Sequence, residues 1–222
     1  MDYNWDFASV FVYWNVLAMG LWATFKLFII CSTLGLGGGL FMGMLRYSKT
    51  RWISYPAMLY VEIFRNTPVL VQIIWFFFAL PVVTGIEVSP MMAAVLGITL
   101  NTIAFSAEVF RGGIQSIERE QWEAGKAIGM SYAQSMRRVI LPQALKRMLP
   151  PLTSRGIEVF KMSTLASVVA YPETVQQAKL IASYEYNPIE AYTVVALMFF
   201  IVLLPLVQLT YMLERRFGKS DA

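Results

Sequence analysis

Five long apolar runs, separated by shorter polar segments, are the feature of this sequence that most restricts its fold. A helix that crosses a membrane needs about 20 consecutive, mostly apolar residues. The candidate runs lie at approximately 17–45, 55–80, 90–110, 150–171 and 189–213. Only 14% of the 222 residues are charged, whereas soluble domains carry about 25%. The sequence therefore predicts an all-α fold, an integral membrane bundle of five transmembrane helices within residues 17–213.

The fourth run is the weakest, because it is interrupted by three charged residues, Arg155, Glu158 and Lys161. The distribution of basic residues still favours a crossing at this place. Fourteen of the 18 lysines and arginines lie between runs one and two, between runs three and four, or after run five, if Arg155 near the start of run four is included. A single basic residue, Lys179, lies in the opposite segments, which are 1–16, 81–89 and 172–188. Since cytoplasmic loops are enriched in Lys and Arg, we expect segment 1–16 outside and a cytoplasmic tail at 214–222.

The chain lacks the residues on which most enzymes and metal sites depend. It contains no histidine and one cysteine, Cys31. Histidine is the commonest general base and metal ligand, so His-based hydrolases and membrane metalloproteases are excluded, and no intrachain disulfide is expected. Gly218-Lys219-Ser220 resembles the end of a phosphate-binding loop, but Leu213 occupies the position of its first glycine. We therefore expect no ATP site and no cofactor.

The net charge of +4 is explained by membrane orientation rather than by nucleic-acid binding. No basic residue precedes Lys26, whereas a cleaved signal peptide begins with a positively charged region. The first apolar run is therefore expected to be retained as a span.

Three glycines in the first run, Gly35, Gly39 and Gly43, are spaced four residues apart. This spacing places them on one helix face, where small residues allow a second helix to approach closely. We expect this face to be a packing surface. The adjacent Gly37 and Gly38 are expected to make the segment flexible or kinked.

The polar, basic segment 112–147 carries an ordered motif between the third and fourth runs. Gln121 and Glu123-Ala124 open it, Gly129 follows six residues after Glu123, and Leu141-Pro142 closes it. The residues after Glu123 favour a helix, and Gly129 can end a helix by adopting a left-handed conformation. Leu141-Pro142 would then begin the next helix or turn.

This order of residues resembles the EAA loop of ABC importer permeases, in which Glu-Ala-Ala, three residues, Gly, nine residues and Ile-x-Leu-Pro follow one another. One departure is Gly125 at the third position, which lowers helix stability by roughly 1 kcal/mol relative to Ala. Three further segments narrow the resemblance to the polar amino-acid importer permeases: 64–72, 101–117 and 160–169. Within them, Asn66 replaces a glycine and Met162 replaces an acidic residue.

The resemblance implies a type I ABC importer permease fold with a cytoplasmic coupling helix, in a chain that is not itself an enzyme. In that family the loop docks into a groove on a cytoplasmic ATPase. The matching positions here are Gln121, Glu123, Ala124, Gly129, Leu141 and Pro142. The implied partners are two ABC ATPase subunits, a second permease that is a copy or a paralogue, an extracytoplasmic amino-acid-binding protein and membrane lipid. The implied location is the bacterial inner membrane.

Polar residues inside the runs are candidates for a substrate pathway, because polar groups are costly in a bilayer and usually serve a pathway or a partner. These candidates are Thr67, Gln72, Asn101, Glu108, Lys161, Ser163 and Thr164. Pro68 is expected to break the second span and to free carbonyl groups. The alternative is bonding between or along helices, for example a Glu158–Lys161 pair. With Met162 beside Lys161 in place of an acid, an acidic or neutral amino acid is favoured over arginine or lysine.

Two other classes of protein remain open. One is an ATP-independent secondary transporter or channel, in which Glu158 and Lys161 would belong to an ion relay. The other is a membrane scaffold whose basic loop recruits a soluble partner. Uptake that survives ATP depletion would indicate the secondary transporter or channel. Polar residues that can be replaced without effect would indicate the scaffold.

Overall fold

The computed structural model of the chain describes residues 3–48 and 50–217, which form helices and turns without a strand. The predicted all-α class is therefore confirmed for these residues. The helices, in chain order, are α1 Phe7–Val12, α2 Trp14–Tyr47, α3 Arg51–Asn66, α4 Val69–Thr84, α5 Pro90–Gln115, α6 Arg119–Ala127, α7 132–162, α8 Thr174–Glu185 and α9 Pro188–Phe217. A 3₁₀ turn, Ser163–Val169, follows α7. Gly218-Lys219-Ser220 and the end of the predicted tail lie outside the described residues.

Three helices are long and apolar enough to cross a membrane alone: Trp14–Tyr47, Pro90–Gln115 and Pro188–Arg216. They contain the first, third and fifth apolar runs. Helices α3 and α4 meet the same criterion only as a pair, and they are bent by 101° at the break between them. The fourth run is divided between α7 and the 3₁₀ turn. By length and composition, the described residues contain three spans, or four with the bent pair, so this criterion does not reach the predicted five.

The break between α3 and α4 comes from Pro68. Thr67, the residue before it, has φ −104° and ψ 135°, and Pro68 itself has φ −62° and ψ 134°. The proline ring disfavours the helical conformation in the preceding residue, and proline has no N–H to continue the helical bonds. The prediction that Pro68 breaks the second span is confirmed.

Two other prolines are accommodated inside helices by a preceding π turn. In α4 the π turn Trp75–Ala79 comes just before Leu80-Pro81, and in α7 the π turn Met136–Ile140 comes just before Leu141-Pro142. A π turn contains one extra residue, which makes room where the proline ring would meet the carbonyl one turn earlier. Both helices therefore continue through their Leu-Pro pairs.

Helix α7 begins at Tyr132 because a capping box precedes it. Ser131 Oγ accepts a bond from the Gln134 backbone N–H at 3.3 Å, and Gln134 Oε1 accepts one from the Ser131 N–H at 2.8 Å. This reciprocal pair satisfies donors that a helix N-terminus otherwise leaves unpaired. Leu141-Pro142 begins the α-helical segment Leu141–Met162, as predicted, but the continuous helix starts earlier, at Tyr132, because the π turn Met136–Ile140 joins the two parts.

The glycine stripe of α2 packs directly against α5, as predicted. A Cβ at Gly35 would lie 2.4 Å from Thr102 Cγ2, and one at Gly39 would lie 2.4 Å from Ser106 Cβ. Only glycine allows the two helices this separation. Helix α2 runs unbroken through the neighbouring glycines that were expected to weaken it.

Helix α5 is the central helix, and α7 lies alongside it with the opposite direction. Near the start of α7, Ala144 and Met148 pack against Phe110 at the end of α5. Farther along α7, Val159 packs with Ile98 from the first half of α5. A separate apolar core joins α1, the start of α2, α8 and the start of α9. The second half of α7 therefore follows α5 through the bundle.

Candidate functional site

A network of buried amides surrounds the break between α3 and α4. Gln72 Nε2 donates to Phe64 O at 3.1 Å, to Thr67 O at 3.0 Å and to Thr67 Oγ1 at 2.7 Å. Asn101 Nδ2 of α5 donates to the same Phe64 O at 2.7 Å. The carbonyl groups that Pro68 frees are thus bonded by side chains from α4 and α5. Three predicted pathway residues, Thr67, Gln72 and Asn101, meet at one place.

Arg155 of α7 completes this network, and its role was missed in the sequence, where it counted only as an interrupting charge. Its side chain is 4% exposed, and its Nη2 donates to Asn101 Oδ1 at 2.6 Å. Its Nη1 donates to Glu158 Oε2 at 2.7 Å, and the guanidinium lies 4.4 Å from the centre of the Phe105 ring. Burying a charge is costly unless it is paired and hydrogen-bonded. The available signal was an arginine and a glutamate three residues apart within an apolar run.

The Arg155 guanidinium keeps an unused donor at Nε. Its Nε is buried and has no hydrogen-bond partner within residues 3–48 and 50–217. Arginine has five N–H donors, so a buried guanidinium with a free one can receive a further acceptor. On the same side, Met162 Sδ lies 4.0 Å from Arg155 Nη2.

The remaining predicted residues of this region do not join the network. Lys161 is exposed, and Glu158 pairs with Arg155 rather than with Lys161, the partner given as an example of the alternative. Ser163 Oγ donates to Phe160 O at 2.6 Å, and Thr164 Oγ1 donates to Lys161 O at 2.8 Å. Both hydroxyl groups are satisfied within their own helical turn.

Glu108 lies in a different cluster, nearer the end of α5. Its carboxylate forms ion pairs with Arg46 of α2, with Arg111 at 2.8 Å and with Arg65 of α3 at 3.8 Å. The Arg65 guanidinium also lies 5.3 Å from the centre of the Phe105 ring, which contacts Arg155 as well. Glu108 therefore joins α2, α3 and α5, and Phe105 connects this cluster to the amide network.

The motif between the third and fourth runs forms helix α6, which ends as predicted at Gly129. Gly129 has φ +77°, its N–H bonds to Lys126 O at 3.0 Å, and the Met130 N–H bonds to Gly125 O at 3.0 Å. These two bonds define a Schellman motif, which favours glycine because of the positive φ. Helix α6 is therefore a rigid unit with a defined end.

Helix α6 packs on the start of α7 through Gly125, where the motif departs from the expected alanine. A Cβ at Gly125 would lie 2.7 Å from Ser135 Oγ. Beside it, the rings of Trp122 and Tyr132 stack with centroids 5.5 Å apart. Gln143 Nε2 of α7 also donates to Gln121 Oε1 at 3.3 Å. The small residue is needed for contact with α7, so this face is not available to a partner.

The opposite face of α6 is free. Glu123 and Ala124 are exposed, and Ile128 is 73% exposed. Glu123 accepts a bond from Arg119 of the same helix at 2.9 Å. Leu141 and Pro142 lie in α7, with Leu141 half-buried and Pro142 exposed. Of the predicted coupling residues, Glu123, Ala124 and Gly129 therefore form one exposed surface, and Leu141 and Pro142 belong to another helix.

At the other end of the bundle, Glu173 caps helix α8. Its side chain is buried, and its carboxylate accepts bonds from the Val175 N–H at 2.9 Å and the Gln176 N–H at 2.8 Å. Burial raises the pKa of Glu173 to about 7, and the two backbone bonds oppose this shift. The sequence drew no attention to this residue.

Known proteins are similar to this chain in sequence. The chain is 37% identical over 196 residues to the glutamine transport system permease protein GlnP of Escherichia coli, covering 86% of this chain and 90% of that protein. It is 39% identical over 164 residues to the probable amino-acid ABC transporter permease protein YckA of Bacillus subtilis, covering 74% and 72%. The arginine transport system permease protein ArtQ of Bacillus subtilis is 28% identical over 218 residues, with 98% and 100% covered.

Solved structures agree with the fold. A crystal structure of an amino acid ABC transporter with histidines matches with a TM-score of 0.91 and 34% identity, over 96% of this chain and 100% of that chain. An inward-facing MetNI methionine ABC transporter matches with a TM-score of 0.71 at 20% identity, over 90% and 97%, which supports the fold alone. A family model for the binding-protein-dependent transport system inner membrane component matches residues 35–219. Because that model spans most of the sequence, the chain belongs to the family of binding-protein-dependent transport system inner membrane components, and it is a permease subunit rather than an enzyme.

Proposed function

We propose that this chain is the transmembrane subunit of an ATP-binding-cassette importer for polar amino acids and that it forms part of the translocation pathway. The observation that carries the proposal is the polar network at the helix break, where Gln72, Asn101 and Arg155 lie inside an otherwise apolar bundle. Such groups are costly in a membrane and typically serve a pathway or a partner. Broken helices are tolerated at membrane depth where they line a cavity or are covered by protein.

The proposed topology has five crossings: α2, the bent pair α3–α4, α5, α7 with its 3₁₀ turn, and α9. The packing of α7 along α5 supports the fourth crossing. Its charge is compatible with a membrane because Arg155 is paired with Glu158 and bonded to Asn101. The excess of basic residues at the end that carries α6 supports an outer N-terminus and a cytoplasmic C-terminus.

Helix α6 is the proposed coupling helix. Its exposed residues Glu123, Ala124 and Ile128 would dock into a cytoplasmic ATPase subunit. The close contact of Gly125 with Ser135 makes α6 and the start of α7 move together, and α7 carries Arg155. A displacement of α6 by the ATPase would therefore reach the amide network through a single helix.

The proposed assembly contains two ATPase subunits and two permease subunits, the second permease being a copy or a paralogue of this chain. An extracytoplasmic binding protein would deliver the amino acid. These partners follow from the family, whose members function with a binding protein.

An acidic or neutral amino acid is the proposed substrate. A buried guanidinium with an unused Nε donor supports a ligand with carboxylate or amide oxygens. Met162, within 4.0 Å of that guanidinium, gives a cationic side chain no acidic partner. The printed names of the relatives include glutamine, arginine and cystine, so the choice among them is the part to be tested.

Reconstituted transport tests the proposal. The chain would be purified from native membranes with the subunits that accompany it and placed in liposomes containing ATP. We expect uptake of labelled glutamine or glutamate that requires ATP and is competed weakly by arginine. If arginine were taken up in preference to glutamine and glutamate, the proposal of an acidic or neutral substrate would be wrong. Undiminished uptake without ATP would favour the ATP-independent secondary transporter, in which the Arg155–Glu158 ion pair would act in an ion relay.

A further inference from the structure

A groove of about 860 Å³ opens where α2 ends, α3 begins and α5 ends. Its polar side is formed by three arginines, Arg46, Arg51 and Arg111, together with Gln115. Its apolar side includes Trp52 and Tyr55. The groove lies apart from the amide network at the helix break and from the exposed face of α6.

The groove carries a positive charge that the described residues leave partly uncompensated. Arg46 and Arg111 both pair with Glu108, which Arg65 shares, and Arg46 also lies 4.0 Å from the carboxylate of Glu62. Two carboxylates therefore face three arginines. Arg51 is exposed and forms no ion pair with a residue in the described ranges. Among residues 3–48 and 50–217, the lining of the groove contains no carboxylate. This charge balance is complementary to an anionic group.

The apolar side has the exposure expected at a membrane surface. Trp52 is 91% exposed and Tyr55 is 64% exposed, although both lie beside a long apolar helix. Tryptophan and tyrosine are enriched where a membrane meets water, with their rings at the level of the headgroups. Basic pockets between helices on the cytoplasmic side bind anionic headgroups. Arginines beside exposed aromatic rings match a ligand with a charged head and an acyl chain.

We propose that this groove binds one anionic phospholipid, with the phosphate at Arg46, Arg51 and Arg111 and the acyl chain along Trp52 and Tyr55. The phospholipid would belong to the inner leaflet of the membrane, and this assignment rests on the cytoplasmic orientation of α6 given under the proposed function. Lipid binding itself requires neither ATP, the amino acid nor a partner, so its failure and a failure of transport are distinguishable.

Lipid titration of the purified full chain in detergent tests the proposal, with bound lipid counted by native mass spectrometry. The probes are short-chain phosphatidylglycerol, phosphatidylcholine with the same chains, and glycerol phosphate. We expect one phosphatidylglycerol to bind, phosphatidylcholine to bind more weakly, and glycerol phosphate not to bind at the same concentration. Glycerol phosphate bound as tightly as the lipid would mean a free-phosphate site and overturn the proposal.

Two variants and a control identify the groove. Arg51→Gln is expected to lower the affinity for phosphatidylglycerol about five-fold, which is the effect of one basic residue near an anionic lipid surface. Trp52→Ala should weaken both lipids, because it removes chain contact without changing charge. Lys179→Gln removes one positive charge from an exposed position on α8 and should leave lipid binding unchanged. Equal losses of phosphatidylglycerol affinity in Arg51→Gln and Lys179→Gln would overturn the proposal. Lipid that binds only to the monomer, and not to a pair of chains, would also overturn it. Unchanged size-exclusion profiles establish that the variants are folded.

Discussion

Arg155 and Asn101 are joined by a hydrogen bond of 2.6 Å from Nη2 to Oδ1, which connects α7 to α5 beside the break between α3 and α4. The same Asn101 donates to Phe64 O at 2.7 Å. One amide therefore links a buried charge to a carbonyl of the broken helix. Because the donor is charged, the bond belongs to the stronger class of protein hydrogen bonds. A movement of α7 would act on the break through this amide.

Replacing Asn101 by Leu should therefore cost about 3 kcal/mol of stability, because a buried guanidinium and a backbone carbonyl lose their partner. Thermal unfolding in detergent would measure the loss. Asn66→Leu is the control, since Asn66 is exposed and, within the described part of the chain, its amide bonds only to Glu62 of the same helix. Equal losses for the two variants would contradict the role given to the network.

Arg155→Gln should change the preference among substrates. If the free Nε receives a carboxylate oxygen, the ratio of glutamate to glutamine uptake should fall about ten-fold, the size of one charge-assisted bond. Competition uptake in liposomes measures this ratio. Lys161→Gln also removes one charge from α7, but from an exposed position, and the ratio should stay constant. A parallel change in both variants would assign the effect to net charge.

Gly129→Ala should loosen the end of α6. A residue with a side chain at φ +77° is strained by roughly 1 kcal/mol, so the Schellman motif weakens. We expect less ATPase subunit to co-purify and fewer amino acids to be transported per ATP hydrolysed, with the bundle still folded. Gly112→Ala is the matched control, because a Cβ there meets nothing within 4 Å. Unchanged coupling in Gly129→Ala would remove α6 from its proposed role.

Gly39→Ala should destabilise the bundle by about 2 kcal/mol, since overpacking forces α2 and α5 apart. The added Cβ would lie 2.4 Å from Ser106 Cβ and 3.3 Å from the Ala107 backbone N. Gly37→Ala, on the open side of the same helix, should be neutral or stabilising. Thermal unfolding of the two variants separates the effect of overpacking from the effect of helix propensity, since both replace glycine by alanine in the same helix. Equal melting temperatures for Gly39→Ala and Gly37→Ala would show that the glycine face of α2 is not needed for packing against α5.

Glu173 should make stability depend on pH. Its pKa is about 7 in the folded chain and 4.5 for a free carboxyl, so the folded state holds the proton more tightly. The contribution of Glu173 to stability is then greatest below pH 4.5 and is lost as the pH rises to about 7, by up to about 3 kcal/mol. Glu173→Gln should remove this fall while still capping α8. Melting temperatures at pH 5 and pH 8 would test it, and the same slope in the variant would exclude Glu173 as the cause.

Much of the coupling motif could be predicted because its structure is local. The glycine turn at Gly129 depends on bonds that span five residues, and the break at Pro68 depends on one ring. The start of α7 is equally local, but its signal was the Ser131–Gln134 capping box rather than Leu141-Pro142. A neighbouring π turn made Pro142 compatible with a continuous helix.

The sequence by itself determined the helical class, the membrane character, the glycine face and the family, because apolar run length, spacing and ordered motifs are properties of the chain alone. Only the tertiary structure decided which polar residues work together. Arg155 and Asn101 are 54 residues apart, and no spacing rule connects them. The same fold left Lys161 exposed and paired Glu158 with Arg155. A buried charge takes the partner that packing brings within bonding distance, and packing depends on contacts from the whole chain.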